Sequence, residues 1–178
     1  TNYLLAQLIS WMRSGKSFVA TDVKPEIWGI LKHNNVFEYY GYDDVVFNPT
    51  DPLSQKYNMF DDLGVDADTE IIELIEILIP AKDAFSDSAR RILRAVMLHL
   101  SAINGSASLL QARKYIDEFT DVEEMMGELL TSPSDITVSN AKAVKRSTGN
   151  ERFIASAINA LSSALQFLDN KNIANNID

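Results

Sequence analysis

The stretch DDVVFNPTDPLSQKYNMFDDL, residues 43–63, separates two kinds of sequence pattern in this chain. Its Val-Val-Phe run at 45–47 is β-branched and aromatic, which predicts a short buried strand. Pro49 and Pro52 end that strand, because proline lacks the N–H that a sheet ladder needs and restricts the residue before it. Helix and strand patterns alternate before this stretch, and only helical patterns follow it.

The first 52 residues predict a partial α/β segment. A helical pattern over residues 1–13 is followed by a short strand at 18–21, a second helix that starts at Pro25, and the strand at 45–47. Helix, strand, helix, strand with short connections is typical of a parallel sheet. Two parallel strands need further neighbours and covered faces, so we expect the rest of the sheet to lie outside this chain.

The residues from Asp66 onward predict an all-α domain. Residues 71–79 are apolar on most sides of a helix, and we expect that helix to be central. A long helix follows, capped by Ser86 or Asp87 and closed by Asn104-Gly105. Further helices are predicted over residues 107–117, 121–130, 135–146 and 151–168.

The predicted fold is therefore mainly α, with a multi-helix domain preceded by an α/β segment that holds two short parallel strands. The domains are residues 1–52, the partial α/β segment, residues 53–168, the all-α domain, and residues 169–178, a polar linker that returns to the sheet. The first residue is not methionine and the chain opens inside a helical pattern, so we expect a piece of a longer protein.

Composition narrows the classes of function. The chain of 178 residues has no cysteine, which excludes disulfides, thiolate metal sites and a thiol nucleophile. A net charge of −9 argues against a nonspecific nucleic-acid coat, although it is compatible with a local basic face. His33 and His99 have no companions at metal-ligand spacing, so no metal site and no catalytic group is predicted.

The tetrapeptide Ser14-Gly15-Lys16-Ser17 resembles the end of a phosphate-binding loop but lacks its context. The full motif needs a glycine five residues before Gly15, and that position is Ser10. The motif must also follow a strand and open a helix, so that backbone N–H groups face the phosphates. Here it follows a helix, and a plain turn is the better interpretation.

The order of several weak motifs resembles conjugative coupling proteins, the TraD, TraG and TrwB family of type IV secretion ATPases. In that family a strand, Asn-Pro, an acidic residue and an aromatic-rich turn lead into an all-α domain. Upstream, Asp22, Lys24 and Glu26 match the end of a family strand, although Pro25 stands where the family has glycine. Residues 85–100 and 162–168 resemble helices of the same domain. The matching residues of the aromatic-rich segment are Asn48, Pro49, Asp51, Tyr57, Asn58 and Phe60.

The resemblance implies that residues 1–52 belong to a RecA-like nucleotide-binding domain. Thr1 would be the Ser/Thr after the P-loop lysine, which touches Mg²⁺, and Asp22, Lys24 and Glu26 would lie near the nucleotide. ATP and Mg²⁺ would bind the parent protein, a homohexamer anchored at the cytoplasmic face of the bacterial membrane. This piece lacks the phosphate-binding loop, so we expect it to be inactive alone, soluble in the cytoplasm and monomeric.

The resemblance also implies that the all-α domain recognises substrates of the secretion channel. The implied partners are the relaxase, relaxosome accessory proteins, secreted protein substrates and DNA. Lysines and arginines are the candidates for contacts with the DNA backbone, against the alternative of ordinary solvated helix surface. These candidates are Arg90, Arg91, Arg94, Lys142, Lys145, Arg146 and Arg152.

A second group of charges in the all-α domain is acidic and suits a basic protein partner better than DNA. Its members are Asp117, Glu118, Asp121, Glu123, Glu124 and Glu128. The alternative to the coupling-protein interpretation is a free-standing acidic helical adaptor that binds proteins. The sequence leaves open which substrate is recognised.

Overall fold

In the computed structural model, which describes residues 2–63, 66–148 and 151–178, the regular elements are helical. The chain divides into two compact units, the N-terminal unit (Thr1–Val46) and the C-terminal unit (Phe47–Asp178). The α-helices are α1 (Asn2–Arg13), α2 (Glu26–His33), α3 (Val36–Tyr40), α4 (Ala67–Leu78), α5 (Ala84–Asn104), α6 (Leu109–Glu118), α7 (Val122–Leu129), α8 (Asp135–Thr148), α9 (Glu151–Ala164) and α10 (Lys171–Asn176), with a 3₁₀ helix at Gln166–Asp169.

The two predicted parallel strands do not form in the described part of the chain, so the predicted α/β fold of residues 1–52 is wrong. Residues 18–21 and 45–47 are irregular backbone without a ladder partner. Val19 is fully exposed and Val45 is 75% exposed. A β-branched run supplies only a local preference, and a strand also needs a neighbour that accepts and donates its backbone hydrogen bonds.

The N-terminal unit has a small apolar core of its own. Leu8 and Met12 of α1 pack with Leu31 of α2 and Phe37 of α3. The sequence pattern did not predict α3, a helix of five residues. It ends at Gly41, whose backbone is left-handed with φ 70°, a conformation that glycine adopts without steric cost.

Helix α5 is the centre of the C-terminal unit. Eleven of its 21 residues are buried, and α4, α6, α7, α8 and α9 all pack against it. The prediction that residues 71–79 form the central helix is wrong, because α4 buries Ile71 and Ile75 but leaves Ile77 76% exposed. An apolar residue on the outer side of a surface helix produces the same sequence pattern as a fully buried helix.

The start of α5 is fixed by a reciprocal capping box. The Asp83 carboxylate accepts from the Ser86 backbone N–H at 2.8 Å, and the Asp83 N–H donates to the Ser86 hydroxyl at 2.9 Å. The bond from the Ser86 N–H lowers the pKa of Asp83. The cap therefore lies three residues before the predicted Ser86, which acts as the third helical residue instead.

Asparagine side chains join the two ends of the C-terminal unit. Asn172 and Asn176 bond to the segment of residues 49–57, and we call this set of contacts the asparagine clasp. Asn176 donates through Nδ2 to the carbonyls of Pro49 at 3.1 Å and Asp51 at 2.7 Å. The backbone carbonyl of Asn176 accepts from the Tyr57 N–H at 2.7 Å. The segment predicted as a polar linker thus contains α10, which is tied to the residues that open the unit.

Within the described ranges no single helix has the length and apolar character needed to cross a membrane. Helices α5 and α6 meet that test only as a pair, and the chain bends by 103° between them.

Candidate functional site

Asp22, one of the residues that the resemblance places near the nucleotide, caps α2. Its Oδ2 accepts from the N–H groups of Ile27 at 2.9 Å and Trp28 at 3.0 Å. Lys24 and Glu26 are exposed, and Thr1 lies outside the described residues. The three described side chains form no cradle for a triphosphate, and ATP and Mg²⁺ stay predictions about the longer protein.

Replacing Asp22 with alanine should destabilise the N-terminal unit by about 1 kcal/mol, because the first N–H groups of α2 lose the side chain that accepts from them, as when an N-cap side chain is removed. Lys24→Ala, two residues away on the surface, should change stability by less than about 0.5 kcal/mol. Urea unfolding followed by tryptophan fluorescence measures both, since the two tryptophans, Trp11 and Trp28, lie in this unit. Equal effects of the two substitutions would contradict the capping role.

Two arginines of the predicted DNA-contacting group connect α5 to α4. Arg90 donates through Nε to the carbonyl of Ile79 and through its terminal nitrogen to that of Glu76 at 3.4 Å. Both acceptors lie at the C-terminal end of α4, where unpaired carbonyls and the helix dipole favour a cation. Arg94 lies 3.9 Å from the Glu76 carboxylate, and burial lowers the pKa of its guanidinium.

The remaining members of that group differ in how freely they face solvent. Arg91 pairs with Asp87 at 3.2 Å, and Lys145 pairs with Glu123 at 2.9 Å. Lys142 and Arg146 are exposed and form no ion pair with the described residues. Arg152, at the start of α9, is also exposed. A polyanion therefore has the most direct access to the outer face of α8.

The packing of α8 on α5 brings the basic residues of both helices together. His99 Nδ1 lies 2.9 Å from the Ser132 hydroxyl, and Thr137 donates to the carbonyl of Ala95 at 3.2 Å. As the residue number rises along the segment that contains α8, the number of the contacted residue in α5 falls. The two helices are therefore antiparallel. The last turns of α8 reach the first turns of α5, where α9 also begins.

We call this region, residues 82–94, 142–148 and 151–152, the basic end. It contains eight Lys and Arg but three Asp and Glu, whereas the rest of the C-terminal unit contains four Lys and Arg but seventeen Asp and Glu. Of the eight basic residues, seven were predicted from the sequence, and the eighth is Lys82, which is exposed just before α5. The unit is therefore an acidic body with one basic end.

The predicted acidic group is only partly available to a partner. Asp117 pairs with Arg113 at 3.4 Å, and the Asp121 carboxylate caps α7 by accepting from the Glu123 N–H at 2.9 Å. Glu118 and Glu124 are exposed and form no ion pair with a described residue. The acidic surface that remains open is smaller than the sequence suggested.

A polar cluster with two buried members, His99 and Tyr115, and the exposed Glu128 joins α5, α6 and α7. It was not predicted from the sequence. His99 packs on Tyr115 with ring centres 5.5 Å apart, and its Nε2 lies 3.7 Å from the Glu128 carboxylate. Burial, and then the charge of Glu128, raise the pKa of Tyr115. The three residues are far apart in sequence, so only the tertiary packing reveals the cluster.

The C-terminal unit is thus an acidic helical body with one basic end, and no group of three metal-ligating side chains occurs among the described residues. The comparison with protein families shows the biological process to which the chain belongs. The family model for conjugative DNA transfer by the type IV secretory system matches residues 3–177, and the chain belongs to this family. The match confirms the resemblance to the coupling proteins. Searches of curated proteins and of solved structures gave no match.

Proposed function

We propose that the C-terminal unit is the substrate-recognition domain of a coupling protein, and that it recruits the DNA–relaxase complex to the secretion channel. Membership of the conjugative DNA-transfer family supports a role in moving DNA through the type IV secretory system. The observation that carries the proposal is the basic end, where α5, α8 and α9 concentrate positive charge on an otherwise acidic unit.

The charge pattern favours DNA contact at the basic end over contact elsewhere on the unit. Lysine and arginine contacts to phosphates supply affinity without sequence choice, and they weaken steeply as salt is raised. Because the unit carries 12 Lys and Arg against 20 Asp and Glu, a net −8, its acidic remainder repels DNA and leaves one orientation open. We expect weak, salt-sensitive binding of the kind that suits a substrate passed onward.

Reversing Lys142, Lys145 and Arg146 to glutamate should lower DNA affinity at least about tenfold at about 50 mM salt, since three phosphate contacts become repulsive. Fluorescence anisotropy with a labelled oligonucleotide measures the change. The matched control reverses Lys56, Lys114 and Lys171, which are exposed and lie outside the basic end. It alters net charge equally and should change affinity less than about threefold.

Equal losses in the two triple variants would mean that net charge alone controls binding, and the proposal would fail. Lys145 pairs with Glu123, so its reversal also places two carboxylates together. Far-UV circular dichroism must therefore show that the variant keeps its helices. A double variant of Lys142 and Arg146, which spares this ion pair, should retain most of the effect.

We propose further that the parent protein is a membrane-anchored hexameric ATPase that uses ATP and Mg²⁺ to move its substrate. The resemblance of residues 22–26 and 48–60 to coupling proteins supports this. The coding sequence upstream of Thr1 tests it. A glycine-rich phosphate-binding motif ending in Gly-Lys directly before Thr1 is expected, and its absence from the gene would contradict the proposal.

A basic protein partner, such as a relaxosome accessory protein, is the second candidate. The seventeen acidic residues outside the basic end favour it, with Glu118 and Glu124 the most open of the predicted group. In that case Glu118→Lys with Glu124→Lys would weaken capture of the purified relaxosome proteins, and the triple reversal at the basic end would not.

A further inference from the structure

Two phenylalanines meet at the basic end of the C-terminal unit. Phe85 lies in the first turn of α5 and Phe153 in the first turn of α9, and their ring centres are 4.8 Å apart with 33° between the planes. Phe85 is 40% exposed, whereas Phe153 is half-buried. Phe153 thus supports one side of the Phe85 ring, and part of the Phe85 side chain remains open to solvent.

Cationic residues lie close in sequence to both phenylalanines. Lys82 precedes it by three residues, and Arg152 immediately precedes Phe153. Because Thr137 lies beside Ala95 and the helices are antiparallel, the rise of 1.5 Å per residue places Arg146 near the level of Ser86. The aromatic pair and the exposed cations of α8 therefore lie at the same end of the C-terminal unit.

We propose that the basic end binds single-stranded nucleic acid, with an unpaired base stacked on Phe85 and phosphates held by Lys82, Lys142 and Arg146. This deepens the proposed function, on which it rests, by naming the form of DNA recognised. Aromatic platforms flanked by cations bind single strands because each base offers an open face for stacking. The bases of a duplex are already stacked on one another, so Phe85 adds nothing to duplex binding.

The charge of the surroundings favours this occupant over an apolar protein segment. An exposed phenyl ring alone suits either partner, but the eight Lys and Arg of the basic end, against three Asp and Glu, favour a polyanion. A hydrophobic peptide would leave Lys142 and Arg146 without counterions. A nucleic-acid strand supplies phosphates to these cations and a flat base to the ring.

The test compares Phe85→Ala with Phe47→Ala in the full chain. Phe47 is the matched control, since it is 44% exposed and packs on Tyr57 with ring centres 6.0 Å apart. It lies near the asparagine clasp, at the opposite end of α5, as the bond from Asn58 to the Ala107 carbonyl shows. The probes are a labelled oligo-thymidine strand of about 20 nucleotides and a duplex of the same length.

We expect Phe85→Ala to weaken strand binding about tenfold and to leave duplex binding within about twofold, while Phe47→Ala changes neither. Phe85→Leu keeps an apolar side chain of similar bulk and should show the same loss, which separates stacking from a packing defect. Phe85→Trp should restore strand affinity. Equal weakening of strand and duplex, or no weakening, would overturn the proposal.

Failure of this inference is distinguishable from failure of the proposed function. If the unaltered chain binds strand and duplex, and the charge reversals weaken both while the Phe85 variants bind normally, only the stacking inference falls. If the unaltered chain binds neither probe, DNA recognition by the basic end is wrong, and the stacking inference falls with it.

Discussion

Replacing Ile75 with alanine is expected to lower the free energy of unfolding of the C-terminal unit by about 3 to 4 kcal/mol. The Ile75 side chain is fully buried between α4 and the core around α5. The substitution removes three carbon atoms and leaves a cavity that the neighbouring helices cannot close without shifting. Both the lost transfer energy and the cavity contribute to the cost.

The matched control for this prediction is two residues away on the same helix. Ile77 is 76% exposed, so Ile77→Ala should change stability by less than about 0.5 kcal/mol. Urea unfolding followed by far-UV circular dichroism measures both, while tryptophan fluorescence reports the N-terminal unit and should not change. Similar losses from the two substitutions would show that α4 is buried on both sides, contrary to the structure.

The contrast between Ile75 and Ile77 also shows the limit of sequence analysis in this domain. The helical spacing of residues 66–168 predicted the number and approximate position of most helices, because one buried face per helix produces a regular pattern. The pattern did not reveal which helix is central. That depends on how many neighbours each helix has, and α5 has five helices packed around it.

The N-terminal unit illustrates a different limit. The residues at 18–21 and 45–47 have the composition of strands, but no ladder forms among the described residues. Instead, Asp44 beside that run accepts from the Trp28 indole at 2.8 Å and from Lys32 at 2.9 Å. The Lys32 ammonium lowers the pKa of Asp44. These contacts join residues 12 to 16 positions apart, and local composition does not encode them.

The candidate site was predictable in part. The sequence analysis named seven basic residues, and packing brings them to one end of the C-terminal unit. Composition could not show that Arg90 and Arg94 contact α4 instead of solvent. These contacts form only because the C-terminal end of α4 packs against α5. It also missed Phe85 and Phe153, which are 68 residues apart and become a pair only when α5 and α9 start at the same end.

Changing Asn176 to aspartate is expected to destabilise the C-terminal unit by about 3 kcal/mol at neutral pH. The Asn176 side chain is buried and donates to two carbonyls, those of Pro49 and Asp51. A carboxylate has no hydrogen to donate, so the substitution removes both bonds and places a negative charge against the two carbonyls. The Asp51 carbonyl keeps the bond from the Ser54 N–H at 3.1 Å, whereas the Pro49 carbonyl loses the Asn176 donor. Unpaired buried groups cost more than the bond itself contributes.

The same substitution should make stability depend on pH in a defined direction. Burial and the facing carbonyls favour the neutral acid, which raises its pKa in the folded state above that in the unfolded chain. The destabilisation is therefore largest above the raised folded-state pKa. It declines as pH falls through that value towards the unfolded pKa of about 4, because the protonated acid donates one hydrogen bond.

Asn175→Asp is the matched control, because Asn175 is exposed on the same turn of α10 and the change in charge is identical. It should alter stability by less than about 0.5 kcal/mol and show no such pH dependence. Thermal unfolding by circular dichroism between pH 4 and 8 (about the range of the expected titration) measures both variants. If Asn176→Asp behaves like Asn175→Asp, the clasp does not hold the ends of the unit together. If it behaves as expected, the Asn176 side chain stabilises the contact between the residues that open and close the C-terminal unit.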